Sequence, residues 1–538
     1  MCGLLSLTGE GICSLDNGPG KGVKGMDIRG TGLEFDQHRI EELDQLRNAG
    51  YSLYPPVFER KATIQEIREK FSSVGHEKSE ERVVTAGRLY TVRNHGKTIF
   101  ADLGDEGARI QLYIRKNDIG EEQFVFFTKF IERGDIVGVA GHPFRTKLGE
   151  LTVWADDIVL LTKSLNSLPE KFHGLTNVEK RYRQRYVDLI VNPESRETFR
   201  KRSRLISEIR SYLTERGFLE FETPILQPMY GGANARPFTT LHHCLGQNLF
   251  LRIAPELYLK RLVIGGFEKV FELAKNFRNE DIDTRHNPEF SMIEIYEAYR
   301  DYKDMMALTE GIISHLVRSI TGGYKVAFCG ECLDFTPPWH KISMEDAVKE
   351  YAGLDLRAIS LDELKRIAGE KGIEGYERAE SWRELLVLFF EELVEERLVQ
   401  PTFIYDFPVE NSPLAKKHRT KEGFTERFEL FIYGMEIANG FSELNDPLDQ
   451  LARFQRQDEK RKAGDLEAQM LDYDFINALG YGMPPTGGVG LGIDRLVMLV
   501  TNHSSIKEVI LFPQMKSEMD SVNGSPEQDN SEDTNPTS

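Results

Sequence analysis

The chain has few cysteines and no long apolar run. It has five cysteines among 538 residues, too few for the disulfide framework that stabilises small secreted domains. No apolar run reaches the roughly 18 residues that cross a bilayer. The first residues, MCGLLSLTGEG, lack the basic segment and apolar core of a signal peptide. These absences argue against a secreted scaffold and predict a cytoplasmic protein without a membrane segment.

Basic charge is also scarce. The 68 lysines and arginines are outnumbered by 86 aspartates and glutamates, which gives a net charge of −18. This balance argues against a surface coated for nucleic-acid binding, although local basic clusters at 180–185 and 200–204 could contact phosphates or be ordinary solvated helix faces. The P-loop GxxxxGK[ST] and the HIGH tetrapeptide are both absent, so neither of those nucleotide-binding architectures is supported.

Composition and periodicity divide the chain into segments. Glycine-rich residues 1–33 and the acidic tail 514–538 are predicted to be disordered. Residues 34–81 read as a helical lead segment with a helix from Asp36 to Gly50. Residues 82–163 show short β-rich runs with one helix near 122–130, which is typical of an OB-fold. A polar linker, 164–186, leads to 187–513, where helical and strand patterns alternate, with a helical insertion at about 354–402. The predicted class is α+β: a β-barrel followed by an antiparallel sheet flanked by helices.

The most informative stretch is FRNEDIDTRHNPEFSMIEIY at 277–296. On an extended strand, one face presents Phe290, Met292, Glu294 and Tyr296, while Ser291, Ile293 and Ile295 form a mostly apolar backing. Upstream, Arg278 and Glu280 are predicted to share a face of the preceding strand, and a polar loop joins the two strands. A cation, an aromatic ring and an acid suit an amino acid that reacts with ATP. The alternative is an ordinary hairpin with a solvated loop.

Further stretches match the same pattern of chemistry. Residues 217–226 (GFLEFETPIL), 277–296 and 487–496 (GGVGLGIDRL) resemble, in order, motifs 1, 2 and 3 of the class II aminoacyl-tRNA synthetases. LRIAPELYLK at 251–260 and NGFSELND at 439–446 are similar to the class II lysyl-tRNA synthetases. The resemblance runs from about residue 40 to about residue 513. It implies a class II catalytic domain at 187–513, ATP-dependent activation of lysine, and transfer to the 3′ end of tRNA(Lys). It also implies an anticodon-binding OB-fold and a homodimer formed through motif 1.

The resemblance also implies a role for individual residues. It implies that Arg278 bridges the lysine carboxylate and the α-phosphate, and that Arg495 contacts the γ-phosphate from a helix N-terminus. The other implied ATP contacts are Glu280, His286, Asn287 and Phe290. The implied lysine contacts are Glu256, Glu294, Tyr296, Asn439, Phe441 and Glu443. Mg²⁺ is implied at Glu429 and Glu436, and anticodon contacts at Arg93, Phe100 and Glu150.

The residue types support this scheme independently. A buried ammonium needs carboxylate partners, which Glu294 and Glu443 offer. Glu429 and Glu436 are predicted to face each other across two strands, where their repulsion requires a cation such as Mg²⁺; a salt bridge to Arg427 is the alternative. Glu436 differs in strand parity from Asn439, so a bulge or twist is predicted between them.

The sequence is compatible with other functions. An aspartyl- or asparaginyl-type synthetase shares the architecture, but an aspartate site needs a cation where this pocket offers glutamates. An enzyme that lysylates a protein resembles the catalytic domain without an N-terminal OB-fold, and the strands at 82–163 argue against it. A catalytically silent RNA-binding paralogue is favoured by loss of Arg278 or Arg495, and both are present.

Overall fold

The computed structural model describes residues 35–169, 175–465 and 467–516. The chain divides into two compact units, 1–174 and 175–538. The segment predicted to be disordered, 1–33, lies outside the described residues, and of the tail 514–538 only 514–516 are described. Within the described ranges, no helix is long and apolar enough to cross a membrane.

The first unit is built around a closed barrel of five strands. The strands follow the order β1-β2-β3-β5-β4, and all neighbours are antiparallel except β3 and β5. The elements are α1 (Gln37–Asn48), α2 (Ile64–Lys70), β1 (Val83–Asn94), β2 (Thr98–Gly104), β3 (Arg109–Arg115), α3 (Lys116–Ile119), α4 (Glu121–Phe130), β4 (Ile136–Arg145) and β5 (Leu151–Thr162). The predicted barrel and its helix near 122–130 are confirmed. The β-rich runs of the sequence do not mark where β2 begins and ends.

Local sequence explains where the first helix begins and ends. The Asp36 side chain accepts a hydrogen bond from the backbone N–H of His38, which caps α1. Gly50 follows the helix with a φ of +81°, a left-handed conformation that suits glycine. The helix predicted from Asp36 to Gly50 is therefore confirmed.

The second unit contains an eight-stranded sheet. Its strands run in the order β14-β15-β16-β17-β18-β11-β10-β6, antiparallel except for β14–β15 and β10–β6. The strands of the unit are β6 (Leu219–Glu220), β7 (Leu226–Gln227), β8 (Thr239–His242), β9 (Gln247–Leu251), β10 (Lys269–Phe277), β11 (Glu289–Ala298), β12 (Lys325–Phe328), β13 (Glu331–Asp334), β14 (His340–Ser343), β15 (Thr402–Tyr405), β16 (Arg427–Ile432), β17 (Met435–Ser442) and β18 (Thr486–Gly492). The predicted α+β class is confirmed.

Helices surround this sheet. They are α5 (Val178–Arg183), α6 (Arg185–Val191), α7 (Pro193–Thr214), α8 (Glu256–Ile264), α9 (Tyr302–Thr321), α10 (Met344–Ala347), α11 (Leu361–Lys371), α12 (Trp382–Leu393), α13 (Pro447–Lys462), α14 (Tyr473–Gly480), α15 (Ile493–Thr501) and α16 (Ile506–Val509). The segment 164–186, predicted as a linker, contains α5 and the first residues of α6. The segment 354–402 contains α11 and α12, which pack with α10 around an apolar core of their own.

The largest core lies between the sheet and three helices. Residues of α7, α9 and α15 pack with Ile293 and Ile295 of β11, both fully buried. Burial of each isoleucine contributes roughly 1.5–3 kcal/mol. Because strand side chains alternate, packing this face against helices turns the opposite face of β11, with Glu294 and Tyr296, away from the core.

Three arginines of the basic clusters neutralise internal acids. Arg185 is fully buried and donates to Asp188 at 2.7 Å, and Arg181 contacts Asp188 and Glu508. Arg202 pairs with the buried Asp494 at 2.5 Å. These arginines stabilise the second unit rather than forming a solvated face.

Candidate active site

A cavity of about 450 Å³ opens on the face of the sheet opposite the helical core. Its walls come from β11, β17 and β18, from the N-termini of α8 and α15, and from the loop between β10 and β11. All four residues predicted for one face of β11 line it: Phe290, Met292, Glu294 and Tyr296. The predicted division of that strand into two faces is confirmed.

Strand register aligns the cavity residues in rows across the sheet. One row runs from Glu294 through Gly490 to Asn439 and Glu429. The next row runs from Tyr296 through Gly488 to Phe441 and Arg427. Side chains that are up to 145 positions apart in sequence are therefore presented together because each occupies a fixed position in neighbouring strands.

Glycines of β18 make room for these side chains. A Cβ on Gly488 would lie 2.0 Å from Oε1 of Glu443 and 2.6 Å from the Tyr296 ring. A Cβ on Gly490 would lie 2.9 Å from the Met292 methyl group. The missing Cβ atoms at these two positions let the residues of β11 and β17 fold over the β18 backbone.

One end of the cavity is rich in buried carboxylates. Glu294 and Glu443 are 4% and 1% exposed, and the Tyr296 hydroxyl donates to Glu294 at 2.9 Å. Burial, with Glu256 nearby, raises the pKa of Glu294 to about 8. Burial likewise raises the pKa of Glu443 well above its usual value. A cationic ligand would relieve both effects, because it stabilises the ionised carboxylates.

Arg278 lies where the cavity meets the β10–β11 loop. Its guanidinium carbon is 5.1 Å from the Phe290 ring centroid. Its buried Nε has no hydrogen-bond partner among the described residues, and such a donor fits an anionic group. The prediction that Arg278 and Glu280 share a strand face is wrong. Strand β10 ends at Phe277. The Arg278 N–H still donates to the Pro288 carbonyl, but Glu280 lies beyond the strand.

Arg495, the arginine of motif 3, lines the cavity from α15. Arg495 stands in the first turn of α15 and donates from Nη1 to the Glu436 carbonyl at 2.6 Å. Its Nη2 lies 3.3 Å from Nε2 of His286, and the other nitrogen of that ring is 2.8 Å from Asp283. Asn287, also in the loop, is buried, and its Nδ2 donates to the Glu289 carbonyl.

Glu429 and Glu436 converge without standing directly opposite each other. Glu429 pairs in register with Asn439, and Glu436 pairs with Phe431. The predicted irregularity is present, because Ile437 is an extra residue between Glu436 and Ala438. Asn439 Nδ2 donates to Glu429 at 2.9 Å and to Glu436 at 3.3 Å.

The charges around this pair are unbalanced. Burial raises the pKa of Glu429 to about 8; Arg427 opposes this rise and Glu436 adds to it. Arg427 forms a salt bridge with Glu429, as the alternative interpretation anticipated. Two carboxylates with hard oxygen donors at one wall of the cavity fit a divalent cation such as Mg²⁺.

The residues predicted to contact an anticodon lie on the barrel of the first unit. Arg93 on β1 and Phe100 on β2 are direct partners in register, and Glu150 is exposed in the β4–β5 turn. Phe100 is half-buried and packs 5.1 Å from Tyr113. Phe100 is therefore not an interior core residue of the barrel.

One buried residue at the site is missing from the sequence predictions. Lys260 is fully buried, and its Nζ lies 2.5 Å from Oε1 of Glu256. The signal in the sequence is the i,i+4 spacing of Glu256 and Lys260, which places both on one face of α8. That spacing is common on exposed helices, so it does not by itself indicate a site.

Comparisons with known proteins agree with this architecture. Residues 177–516 match the family described as tRNA synthetases class II (D, K and N), and residues 83–161 match the OB-fold nucleic acid binding domain family. The chain is 67% identical over 490 residues to a lysine–tRNA ligase of Methanoculleus marisnigri, covering 91% of this chain and 96% of that protein.

More distant relatives carry the same description. Lysine–tRNA ligase 2 of Methanosarcina mazei is 63% identical over 492 residues, 91% of this chain and 96% of the relative. A lysine–tRNA ligase of Nostoc sp. is 52% identical over 489 residues, 89% of this chain and 87% of the relative. With matches of this extent, the chain belongs to the class II tRNA synthetases and, within them, to the lysine–tRNA ligase family.

Proposed function

We propose that this protein activates L-lysine with ATP and transfers it to the 3′ end of tRNA(Lys). The observation that carries the proposal is the distribution of charge around the cavity. Two buried carboxylates, Glu294 and Glu443, lie at one end, and two arginines, Arg278 and Arg495, line it from the β10–β11 loop and from α15. This charge pattern is complementary to lysine, which is cationic at its side chain, and to ATP, which is anionic.

The chemistry needs orientation more than proton transfer. The lysine carboxylate, already ionised, attacks the α-phosphorus of ATP, so lysyl-adenylate forms and pyrophosphate leaves. Arg278, whose Nε has no hydrogen-bond partner in the described part of the chain, would hold the carboxylate and the α-phosphate together. Phe290, beside Arg278, would stack on adenine, and Arg495 would contact the γ-phosphate with His286 beside it. The remaining predicted ATP contacts, Glu280 and Asn287, line the same cavity.

The lysine contacts follow from the buried acids. Glu443 and Glu294 would bind the ε-ammonium, with Tyr296, Asn439 and Phe441 beside them. Glu256, at the first position of α8, would bind the α-amine.

Glu429 and Glu436 would hold Mg²⁺. When bound, the ion would neutralise charge on the ATP phosphates. Asn439 would orient both carboxylates, since it already donates to each.

Other parts of the chain support the transfer step and assembly. Arg93, Phe100 and Glu150 on the barrel would contact the anticodon, where aromatic stacking holds single-stranded bases. Motif 1 carries Leu219, Ile225 and Leu226, which are 51%, 44% and 48% exposed. These exposed apolar side chains on β6 and at the start of β7 support a homodimer, which analytical ultracentrifugation of the protein and of a Leu226→Asp variant would test. The protein would work in the cytoplasm, where translation supplies its substrates.

Mg²⁺-dependent ATP–pyrophosphate exchange with each of the twenty amino acids tests the activity. We expect exchange with lysine alone. Exchange with aspartate or asparagine would contradict the assignment, and the site argues against both. The buried cation near the carboxylates, Lys260, is already paired with Glu256 and Glu443. Absence of exchange with every amino acid would favour a silent RNA-binding paralogue.

A further inference from the structure

Behind the carboxylate end of the cavity lies an ammonium that the reaction does not use. Lys260 is fully buried on α8 and is not among the residues that line the cavity in the described part of the chain. Its Nζ contacts Oε1 of Glu256 at 2.5 Å and also contacts Oε2 of Glu443. The Phe441 ring centroid lies 5.3 Å from Nζ. One buried cation therefore joins the two acids expected at opposite ends of the substrate.

Lys260 contacts one carboxylate oxygen of Glu443, Oε2, and leaves the other, Oε1, available. Oε1 of Glu443 has no hydrogen-bond partner among the described residues. It faces Gly488, the strand position where a Cβ would come within 2.0 Å of it. Lys260 thus fixes the direction of that carboxylate while a free acceptor remains on the cavity side.

The charges make this arrangement necessary. Three buried acids, Glu256, Glu294 and Glu443, lie around one ammonium. Burial by itself would lower the pKa of Lys260, but Glu256 and Glu443 raise it above its usual value, so the side chain stays charged. Without that charge, the carboxylates of Glu256 and Glu443 would repel each other and separate or take up protons.

We propose that Lys260 is a positioning residue that sets the spacing between the α-amine contact Glu256 and the ε-ammonium contact Glu443, and so makes the site selective for the length of the substrate side chain. This inference rests on the proposed function. A ligand that is anchored at both ends must match a fixed separation. We expect ornithine, one methylene shorter than lysine, to match that separation less well while Lys260 holds both carboxylates in place.

The test compares ATP–pyrophosphate exchange with lysine and with ornithine. In Lys260→Met, we expect kcat/KM for lysine to fall roughly 100-fold. The preference for lysine over ornithine should fall by at least about tenfold, the size of effect that one methylene has on specificity. KM for ATP should remain within about threefold, because Arg278 and Arg495 are untouched.

A matched control lies one residue along the same helix. Arg261 forms salt bridges with Asp472 and Asp474 and does not line the cavity described here. Arg261→Met removes a charge and a long side chain from α8 but leaves the contacts of Glu256 and Glu443 unchanged. The ratio of lysine to ornithine activity should therefore stay at the wild-type value.

The outcomes separate the inference from the function it rests on. If the wild-type protein exchanges with lysine and folded Lys260→Met keeps the same preference over ornithine, the positioning role is wrong. If the wild-type protein gives no exchange with lysine, the proposed function itself fails. Should Lys260→Met not fold, Lys260→Gln removes the charge and keeps a polar group at the same position. An unchanged preference in that variant would equally overturn the inference.

Discussion

At the scale of single residues, the site depends on side chains whose charge or hydrogen-bonding capacity is unsatisfied within the protein. Arg278 keeps a buried donor without a partner, and Glu443 keeps a buried acceptor without one, within the described residues. Leaving such atoms unpaired costs about 1–3 kcal/mol each. A ligand that pairs with both recovers this energy, which is why these residues are expected to dominate binding.

Substitution of Arg278 is the most direct test of the chemical step. Arg278→Ala removes the group expected to stabilise charge between the lysine carboxylate and the α-phosphate. We expect the rate of exchange to fall by roughly 10²–10³-fold or more, with the unfolding temperature nearly unchanged. Arg300→Ala removes a guanidinium that pairs with Glu297 and Asp304 and is not among the described residues that line the cavity; it is the control and should retain most activity. Normal exchange by Arg278→Ala would contradict the assigned role.

The raised pKa of Glu294 predicts that a proton is released when lysine binds. Its pKa of about 8 means that it is mostly protonated at pH 7 in the free protein. A bound ammonium favours the carboxylate, so binding lowers that pKa and releases a proton. Lysine affinity should therefore weaken as the pH falls below about 8, by up to about tenfold per unit.

Calorimetry in two buffers of different ionisation enthalpy measures this release directly. At pH 7 we expect at least about one proton to leave when lysine binds, because the pKa of Glu443 is raised together with that of Glu294. In Glu294→Gln the number should decrease. Equal binding heats in both buffers for the wild-type protein would show that no acid in the pocket changes its protonation.

At the scale of elements, the sheet determines the site because it fixes which side chains meet. The register of β11, β17 and β18 brings Glu294 and Asn439 to either side of Gly490. Their spacing depends on a strand in which four of the seven residues are glycine. The glycines of β18 are thus as important to the cavity as the residues that face it.

Gly488→Ala tests the role of β18. The new Cβ would meet Oε1 of Glu443 at 2.0 Å and the Tyr296 ring at 2.6 Å. We expect a loss of about 1–3 kcal/mol in stability and a large rise in KM for lysine. Gly492→Ala is the control, since its Cβ would find its nearest neighbour at an ordinary 3.8 Å. Equal behaviour of the two variants would contradict this account.

Sequence patterns predicted some of these elements better than others. The two faces of β11 follow from period-2 alternation, and the bulge at Ile437 follows from the parity of Glu436 and Asn439. The end of β10 before Arg278 was predicted wrongly, because a polar loop with alternating charge resembles a strand. The position of Lys260 could not be predicted, because its partner Glu443 is brought to it by tertiary packing alone.

At the scale of the whole molecule, we expect the two compact units to have separate roles. Every residue that lines the cavity belongs to the second unit, while Arg93, Phe100 and Glu150 belong to the first. Adenylate formation should then need only the second unit, and recognition of tRNA should need both. Lysine activation and tRNA charging can therefore be damaged separately.

Phe100→Ala tests this separation. We expect the KM for tRNA in charging to rise roughly 5- to 150-fold, the equivalent of one lost base stack. ATP–pyrophosphate exchange should not change. Phe126→Ala removes another half-buried aromatic from the same unit and should leave charging close to normal. Equal damage to exchange and charging by Phe100→Ala would refute the separation.

The most direct test of the account is the KM for lysine in Glu443→Gln, measured by ATP–pyrophosphate exchange beside Glu297→Gln. Glu297 lies on β11 but pairs with Lys269 and Arg300 instead of lining the cavity. A charged hydrogen bond is worth about 1.5–3 kcal/mol, so we predict that KM for lysine rises roughly 10- to 150-fold in Glu443→Gln and stays constant in Glu297→Gln. An unchanged KM in Glu443→Gln would show that the buried carboxylates do not select the substrate.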